Sequence, residues 1–396
     1  MKGKIANRLK TISLYGVSQI LGVASVLLIS LIIVTYHSTE LWGHYAEILI
    51  WSNFILLFLN FGSHDFLLRT FSKDPAAAAQ NWITNFLTRS LLVLPAAAIV
   101  FIVPMFRGVE FLMLALIGVQ FVSASFKVLV LFHRDFTVNI WIEVIYNVLV
   151  VCALFFFMDS LDVRSLLLII ILGQSVKTLC FCVFYRNTFR KVKLSINLRG
   201  LWLSFPFFVP IAVGTIRVKV DAYYGTYFFS VNDLSKYQIF LSFLMLAQMA
   251  GPFILNPYLK NFYRSGNALV RKLHKQFFAY GWLFAILMTA VMYVAITYVY
   301  QLEFTMKQYL FAFLFMVPLM VHTTLVNEYY KRNKQVNIAI FSSILIGFQI
   351  VIGYFLIQSR GIDGALILKI LGQWSIVIVL WLWIRKRRDT HKSQVA

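Results

Sequence analysis

Long apolar runs separated by short polar segments dominate the chain. A helix that crosses the roughly 30 Å hydrocarbon core of a bilayer needs about 20 residues, and twelve stretches approach or reach that length. The predicted helices are 12–35, 41–61, 82–106, 110–132, 137–158, 163–185, 201–224, 236–259, 276–299, 307–327, 335–357 and 363–384. The pattern predicts an all-α integral membrane protein, and an even number of helices places both termini on the same side.

The twelve helices fall into two groups of six, which we predict to form two lobes. The sequence Ile-Leu-Gly-Gln at 171–174 recurs at 370–373, half a chain length away, and such ordered matches are typical of internal repeats. Six helices per repeat give both lobes the same orientation, related by a pseudo-twofold axis along the membrane normal, an arrangement typical of transporters. The predicted domains are an N-terminal lobe at 1–186, a cytoplasmic basic linker at 187–200, a C-terminal lobe at 201–385 and a basic cytoplasmic tail at 386–396.

The formal net charge is +21, and most of it is explained by the orientation of the chain in the membrane. With the amino terminus cytoplasmic, twenty-five of the 36 Lys and Arg residues fall on the cytoplasmic side and five on the other side. This asymmetry is the one that orients membrane proteins. It predicts that both termini are cytoplasmic, and it explains most of the charge without a nucleic-acid partner.

Six basic residues remain, and all of them fall inside predicted helices. They are Arg89, Lys127, Lys177, Arg217, Lys219 and Lys369. Ionisable groups inside a bilayer are unfavourable and usually face a cavity or a partner. Gln174 accompanies Lys177 and Gln373 accompanies Lys369 at helical spacing, as expected where helices line a wet cavity. We predict that the six bases and two amides bind an anionic substrate; the alternative for each base is that its side chain snorkels to the headgroups.

Two acidic residues inside predicted helices, Glu143 and Asp221, have two interpretations. Either of them binds a coupling ion, sodium or a proton, or it is the counter-ion of a buried Lys or Arg. Asp221 lies four residues after Arg217, so that the two can pair along one helix face. No cofactor is expected apart from a coupling ion.

The sequence contains few features that indicate a metal site or an enzyme. The histidines of the predicted helices and their ends, such as His44, His64 and His322, are scattered without ligand spacing, so no metal site is predicted. The chain has no Walker motif, GxSxG or HExxH. We therefore expect a transporter, not an enzyme.

Several short motifs resemble those of one transporter family. Gly43 and Tyr45 open helix 2, and Leu68 with Arg69 closes it. Pro206 in helix 7, Asp221 near its end and Tyr237 opening helix 8 are the second-half counterparts. Together with the six-plus-six organisation, these residues resemble the polysaccharide transporters, the Wzx-type lipid-linked oligosaccharide flippases of the multidrug/oligosaccharidyl-lipid/polysaccharide exporter (MOP) superfamily.

The resemblance implies a MATE-like fold and a function. The expected activity is movement of an oligosaccharide linked to undecaprenyl pyrophosphate, such as an O-antigen repeat of lipopolysaccharide, from the cytoplasmic to the periplasmic leaflet by alternating access. The expected location is the bacterial inner membrane, with membrane lipids and a glycan polymerase as partners. Arg and Lys are the residues that bind a pyrophosphate in a desolvated site.

Two alternatives stay open at this point. The first is a cation-coupled multidrug exporter of the same superfamily, although six buried bases would repel cationic drugs. The second is a membrane-embedded glycan polymerase or acyltransferase, which would need a catalytic outer loop that the short predicted loops do not provide.

Overall fold

The computed structural model describes residues 2–103, 106–190, 192–255, 259–332 and 334–393. Side chains are described between residues 13 and 384, apart from short segments. Lys191 of the predicted linker lies outside the described residues, as do the side chains of the first bases of the chain and of the predicted tail 386–396.

All regular structure in the described residues is helical. The helices are α1 (Lys2–Tyr36), α2 (Thr39–Asn60), α3 (Ser63–Lys73), α4 (Ala78–Ser90), α5 (Val93–Ile102), α6 (Glu110–His133), α7 (Phe136–Phe156), α8 (Val163–Tyr185), α9 (Leu198–Phe228), α10 (Val231–Leu255), α11 (Leu259–Arg264), α12 (Asn267–Val294), α13 (Met306–Met316), α14 (Leu319–Lys331) and α15 (Gln335–Ser393).

The membrane-spanning pattern agrees with the predicted fold class. Eleven helical stretches of the described chain are long and apolar enough to cross a bilayer, and the last, Val336–Ile384, is 49 residues long. It contains a break at Gly361, where φ is 54° and ψ is −130°. A Cβ on Gly353 would touch Leu368, and one on Gly372 would touch Gln349, so the two halves of α15 run antiparallel. The stretch therefore counts as two spans, and the prediction of twelve transmembrane helices is confirmed.

Several spans consist of two shorter helices, and proline explains two of the breaks. Pro95 has no N–H for the carbonyl of Leu91, which instead accepts a hydrogen bond from the Leu94 N–H at 3.3 Å, between α4 and α5. Pro318 likewise leaves the carbonyl of Leu314 without its helical donor. The indole of Trp374 supplies the missing hydrogen bond at 2.9 Å. The predicted helices 82–106 and 307–327 are therefore interrupted.

The chain divides into two compact units, residues 1–212 and 213–396. The first, unit 1, holds α1 to α8 and the first part of α9. The second, unit 2, holds the rest of α9 and α10 to α15. Helix α9 runs through the boundary without a break, and Pro206 and Pro210 lie inside it.

Aromatic packing fixes the position of α4 in unit 1. Trp82 stacks on Phe86 of its own helix, and it packs against Phe126 of α6 with ring centroids 5.0 Å apart. The indole N–H of Trp82 donates to the carbonyl of Ser125 at 2.8 Å. Phe126 in turn stacks on Phe181 of α8. This anchor holds the polar face of α4 in a defined orientation.

The corner between α2 and α3 requires glycine. Gly62 has φ of 67°, and a Cβ at this position would lie 2.5 Å from the backbone nitrogen of Phe208 in α9. Phe61, also with positive φ, stacks on the Phe208 ring at 4.7 Å. The close approach of α9 to this corner therefore depends on the missing side chain.

Gly62→Ala is expected to lower the free energy of unfolding by about 2–5 kcal/mol, because left-handed backbone and overpacking both disfavour the new methyl group. Chemical unfolding of the purified protein in detergent measures the effect. Gly118→Ala is the control, since no heavy atom in the described part of the chain lies within 4 Å of its added Cβ. Equal stability of the two variants would contradict the role of Gly62.

Candidate functional site

A polar cleft of 530 Å³ lies in unit 1 between α3, α4 and the start of α9. Its size is within the range of roughly 300–1,000 Å³ typical of ligand sites. The charged and polar lining comes from Arg69, Thr70, Lys73, Asn81, Thr84, Asn85, Thr88 and Asn197, and the apolar lining includes Phe66, Leu203 and Phe207. We call this cavity the polar cleft. It offers cations for an anion, and amides and hydroxyls for sugar hydroxyl groups.

Arg69 and Lys73 are the two cations of the polar cleft. They lie four residues apart on α3, and both side chains are exposed. The guanidinium of Arg69 lies 5.9 Å from the ring centroid of Phe207, and this cation–π contact orients it toward the cleft. Guanidinium and ammonium groups are strong binders of phosphate oxygens.

The predicted linker forms one wall of the cleft because α4 binds its backbone. Gln80 donates to the carbonyl of Lys193 at 2.7 Å and accepts from the Lys193 N–H at 3.0 Å. The Asn197 N–H donates to the hydroxyl of Thr88 at 3.0 Å. Gln80 and Thr88 lie two helical turns apart, so a single face of α4 fixes the linker where it leads into α9.

Arg89 follows the cleft-lining residues of α4 and is 1% exposed. Its Nε donates to Asn85 at 2.8 Å, and one Nη donates to the hydroxyl of Ser125 at 3.1 Å. The other Nη donates to the carbonyl of Leu59 at 3.4 Å, in the last turn of α2, where a cation interacts favourably with the helix dipole. These partners are uncharged. The structure therefore places Arg89 where it joins three helices and orients Asn85, a residue that lines the cleft.

Lys177 pairs with Glu143 inside unit 1. The Nζ of Lys177 on α8 lies 2.5 Å from the carboxylate of Glu143 on α7, and both side chains are almost fully buried. Gly173 brings these helices together, since a Cβ there would meet Val150 at 2.6 Å. Gln174, one turn before Lys177, hydrogen bonds to Tyr146. Glu143 is thus the counter-ion of a lysine in this structure.

Lys127 is exposed on α6 and lies close enough to Lys177 for charge repulsion. It takes part in none of the ion pairs found among the described residues.

Asp221 pairs with Lys369 in unit 2. The Nζ of Lys369 lies 3.1 Å from the Asp221 carboxylate, each side chain being 3% exposed. The Tyr237 hydroxyl donates a hydrogen bond to the second carboxylate oxygen, and Lys369 also donates to the carbonyl of Val218 at 2.8 Å. Asp221 thus takes Lys369, and not Arg217 four residues before it, as its partner.

Arg217 and Gln373 lie beside this pair. One Nη of Arg217 donates to the carbonyl of Gly372 at 3.3 Å. The buried Nε of Arg217 and the amide nitrogen of Gln373 have no hydrogen-bond partner among the described residues. The cavity that these residues line with Gln349 has a volume of only 10 Å³, about the minimum for one water molecule. The site in unit 2 is therefore closed in this conformation. Lys219 is half-buried and experiences the charges of Lys369 and Asp221.

The structure thus gathers the sequence-predicted residues into separate groups. One group, in unit 1, contains Glu143, Lys177 and Gln174, and Lys127 lies near it. Arg217, Asp221, Lys369 and Gln373 lie together in unit 2, with Lys219 near them. Sequence reasoning missed Arg69 and Lys73 as site residues because it attributed them to membrane orientation. Their spacing of four residues, followed by the Asn81 and Asn85 pair, is the signal that could have found them.

Side chains that could ligate a metal do not cluster in the described part of the chain. No group of three or more His, Cys, Asp or Glu side chains converges among those residues.

The fold is similar to that of solved flippase and exporter structures. No protein-family model and no curated protein sequence matches the chain. Among solved structures, the lipid II flippase MurJ in an inward-closed conformation matches with a TM-score of 0.72 and 15% identity, over 94% of this chain and 87% of that chain. An inward-facing multidrug resistance MATE transporter of the MOP superfamily matches with a TM-score of 0.66 and 14% identity, over 98% and 99% of the two chains.

A eukaryotic MATE transporter matches over 99% of both chains, with a TM-score of 0.64 and 13% identity. At these identities the likeness is one of fold. Flippases and drug exporters share it, so the fold does not by itself distinguish their substrates. The chain shares the all-helical fold of these structures.

Proposed function

We propose that the protein is a flippase for an oligosaccharide linked to undecaprenyl pyrophosphate, and that it works by alternating access in a bacterial inner membrane. The observation that carries the proposal is the polar cleft of unit 1. It combines two cations with several amide and hydroxyl groups in 530 Å³, which suits a ligand that is both anionic and rich in hydroxyl groups.

The polar cleft lies at the end of unit 1 that the charge pattern predicts to be cytoplasmic. Arg69 and Lys73 belong to the twenty-five bases of that side, and the linker that forms one wall carries further bases. An anionic lipid headgroup in the inner leaflet lies at the same level. The cleft is therefore proposed as the loading site, with Arg69 and Lys73 binding the pyrophosphate and the amides binding the sugar.

The buried pairs are proposed as the groups that receive the pyrophosphate during transport. Lys369 and Lys177 are neutralised by Asp221 and Glu143 while the substrate is absent. A pyrophosphate that replaces a carboxylate keeps the lysine paired, so the exchange avoids an uncompensated buried charge. The proposed set of pyrophosphate-binding residues is completed by Arg217, Lys219, Arg89, Lys127, Gln174 and Gln373. The displaced carboxylate, Asp221 or Glu143, would accept the proton or sodium ion that couples transport.

A multidrug exporter is the second candidate, and the match to MATE transporters favours it. A cationic drug needs an available carboxylate in the membrane. In unit 1 Glu143 and in unit 2 Asp221 are each paired with a lysine, so neither carboxylate is available to attract a cation. The polar cleft likewise carries cations. These charges are the reason for preferring an anionic substrate.

A ligand-stabilisation experiment separates the two candidates. The purified protein in detergent is unfolded in the presence of a polyprenyl-pyrophosphate-linked oligosaccharide or of a lipophilic cation such as tetraphenylphosphonium. We expect the pyrophosphate lipid, at about a hundredfold its Kd, to stabilise the protein by about 2.7 kcal/mol, and the cation to have no effect. Stabilisation by the cation alone would overturn the flippase proposal in favour of the exporter.

A further inference from the structure

The end of the linker before α9 has two different sides. Lys193, Ser195 and Asn197 each hydrogen bond to α4, through a backbone carbonyl, a hydroxyl and a backbone N–H respectively. The residues that alternate with them, Leu194 and Ile196, are 78% and 60% exposed. An alternation of two is that of an extended chain, in which successive side chains point to opposite sides. One side of the segment therefore faces α4, and the other presents apolar side chains outward.

The exposed apolar surface continues onto α9. Leu198 opens this helix and is 59% exposed, and Trp202, four residues later on the same helix face, is 77% exposed. We call Leu194, Ile196, Leu198 and Trp202 the apolar strip. Single exposed apolar residues are ordinary, whereas a continuous set of large ones marks an interaction surface.

The length of α9 places the apolar strip near a membrane surface. The helix has 31 residues, which at 1.5 Å each is about 46 Å, longer than the roughly 30 Å hydrocarbon core. The first turns of α9 can therefore lie at the level of the headgroups while the rest crosses the core. Tryptophan is enriched at this level, as Trp202 would be here.

The charge around the apolar strip favours an anionic partner. Residues 186–199 contain five basic residues and no acidic one, and the side chains of Lys193 and Arg199, which flank the strip, are exposed. Exposed apolar and basic side chains together are the combination that binds the surface of an anionic bilayer. A second copy of the chain fits less well, because a symmetric contact would place the same bases opposite one another.

We infer that the apolar strip, with Lys193 and Arg199, binds anionic phospholipid of the adjacent leaflet, the apolar side chains lying among the upper acyl chains and the bases on the phosphates. The inference does not depend on which substrate the protein transports. Asn197, on the other side of the same segment, lines the polar cleft. Bound phospholipid would therefore stabilise the linker in the position where it forms the wall of the cleft.

Fluorescence quenching in vesicles tests the inference. Cys152, Cys180 and Cys182 are replaced by alanine, and Leu194→Cys carries a fluorophore. The quencher is a nitroxide near the top of an acyl chain of phosphatidylglycerol or of phosphatidylcholine. We expect both lipids to quench, with phosphatidylglycerol enriched about fivefold at the label, the preference that one base confers near an anionic surface.

Three outcomes of this experiment would overturn the inference. They are an unquenched label, equal quenching by the two lipids, and emission that follows the protein-to-lipid ratio instead of the headgroup. The last result would assign the apolar strip to a second copy of the chain.

Matched charge variants of the labelled protein identify the bases. Lys193→Gln/Arg199→Gln is expected to remove the preference for phosphatidylglycerol. Arg271→Gln/Lys272→Gln, which removes the same charge from exposed residues of α12, is expected to keep it. Loss of the preference in both variants, or in neither, would contradict the role of Lys193 and Arg199.

Hydrogen exchange of the wild-type protein tests the effect on the cleft wall. The N–H of Lys193 donates to Gln80, and that of Asn197 donates to Thr88. We expect both amides to exchange about fivefold more slowly in phosphatidylglycerol than in phosphatidylcholine, and equal exchange would contradict the stabilisation of the wall. A protein that shows these lipid effects but moves no oligosaccharide would contradict the proposed function alone.

Discussion

Lys369→Met is expected to lower the free energy of unfolding by about 3–5 kcal/mol, the effect of removing one partner from a buried ion pair. Asp221 would keep its hydrogen bond from Tyr237 but would lose the cation 3.1 Å away, and both side chains are nearly inaccessible to water. Chemical unfolding in detergent, followed by circular dichroism, measures the change. Transport is expected to be lost in the same variant, because an uncompensated carboxylate would repel the pyrophosphate.

A double variant distinguishes the ion pair from simple packing. In Lys369→Met/Asp221→Asn no charge is left unpaired, and the asparagine can still accept the Tyr237 hydrogen bond, so most of the lost stability should return. Lys219→Met, which removes a half-buried lysine from the same helix as Asp221, is the control and should change stability by less than Lys369→Met. A double variant no more stable than Lys369→Met would contradict the assignment of the lost stability to the ion pair between Lys369 and Asp221.

The second large effect is a loss of lipid affinity when the cations of the polar cleft are removed. Arg69→Gln/Lys73→Gln removes both cations while keeping the side chains polar. Charge-assisted hydrogen bonds contribute about 1.5–3 kcal/mol each, so affinity for the polyprenyl pyrophosphate should fall by about a hundredfold or more. Equilibrium binding of a fluorescent polyprenyl pyrophosphate measures the loss.

Removing positive charge from a membrane protein can also disturb its orientation, and the control addresses this. Arg186→Gln/Arg190→Gln removes the same charge from the predicted cytoplasmic side, from residues that do not line the polar cleft. It should bind the lipid as the wild type does. A similar loss of affinity in both double variants would point to net charge rather than to the cleft.

The sequence predicted the fold well because apolar span length is a local property. The twelve spans follow from it, and the six-plus-six order follows from the repeat of 171–174 at 370–373. The breaks inside spans follow from neither. The break at Pro318 is tolerated because Trp374, distant in sequence, donates to the freed carbonyl of Leu314. The corner at Gly62 exists because Phe208 of α9 approaches its backbone. Both depend on tertiary contacts that a single helix does not reveal.

The candidate site was harder to predict, for a physical reason. Hydropathy identifies a buried charge such as Lys177 or Lys369 but not its partner, and the partners Glu143 and Asp221 come from other helices. Arg69 and Lys73 lie at a helix end where orientation alone explains a cation. The docking of the linker on Gln80 and Thr88, which builds the cleft wall around them, involves residues more than a hundred positions apart.

Reconstitution in vesicles tests the central claim most directly. The protein is placed in liposomes with a fluorescent undecaprenyl-pyrophosphate-linked oligosaccharide, and a membrane-impermeant quencher reports how much of the label reaches the opposite leaflet. Wild-type protein is expected to move the oligosaccharide, and Arg69→Gln/Lys73→Gln is not. Transport of a lipophilic cation with no movement of the oligosaccharide would contradict the account.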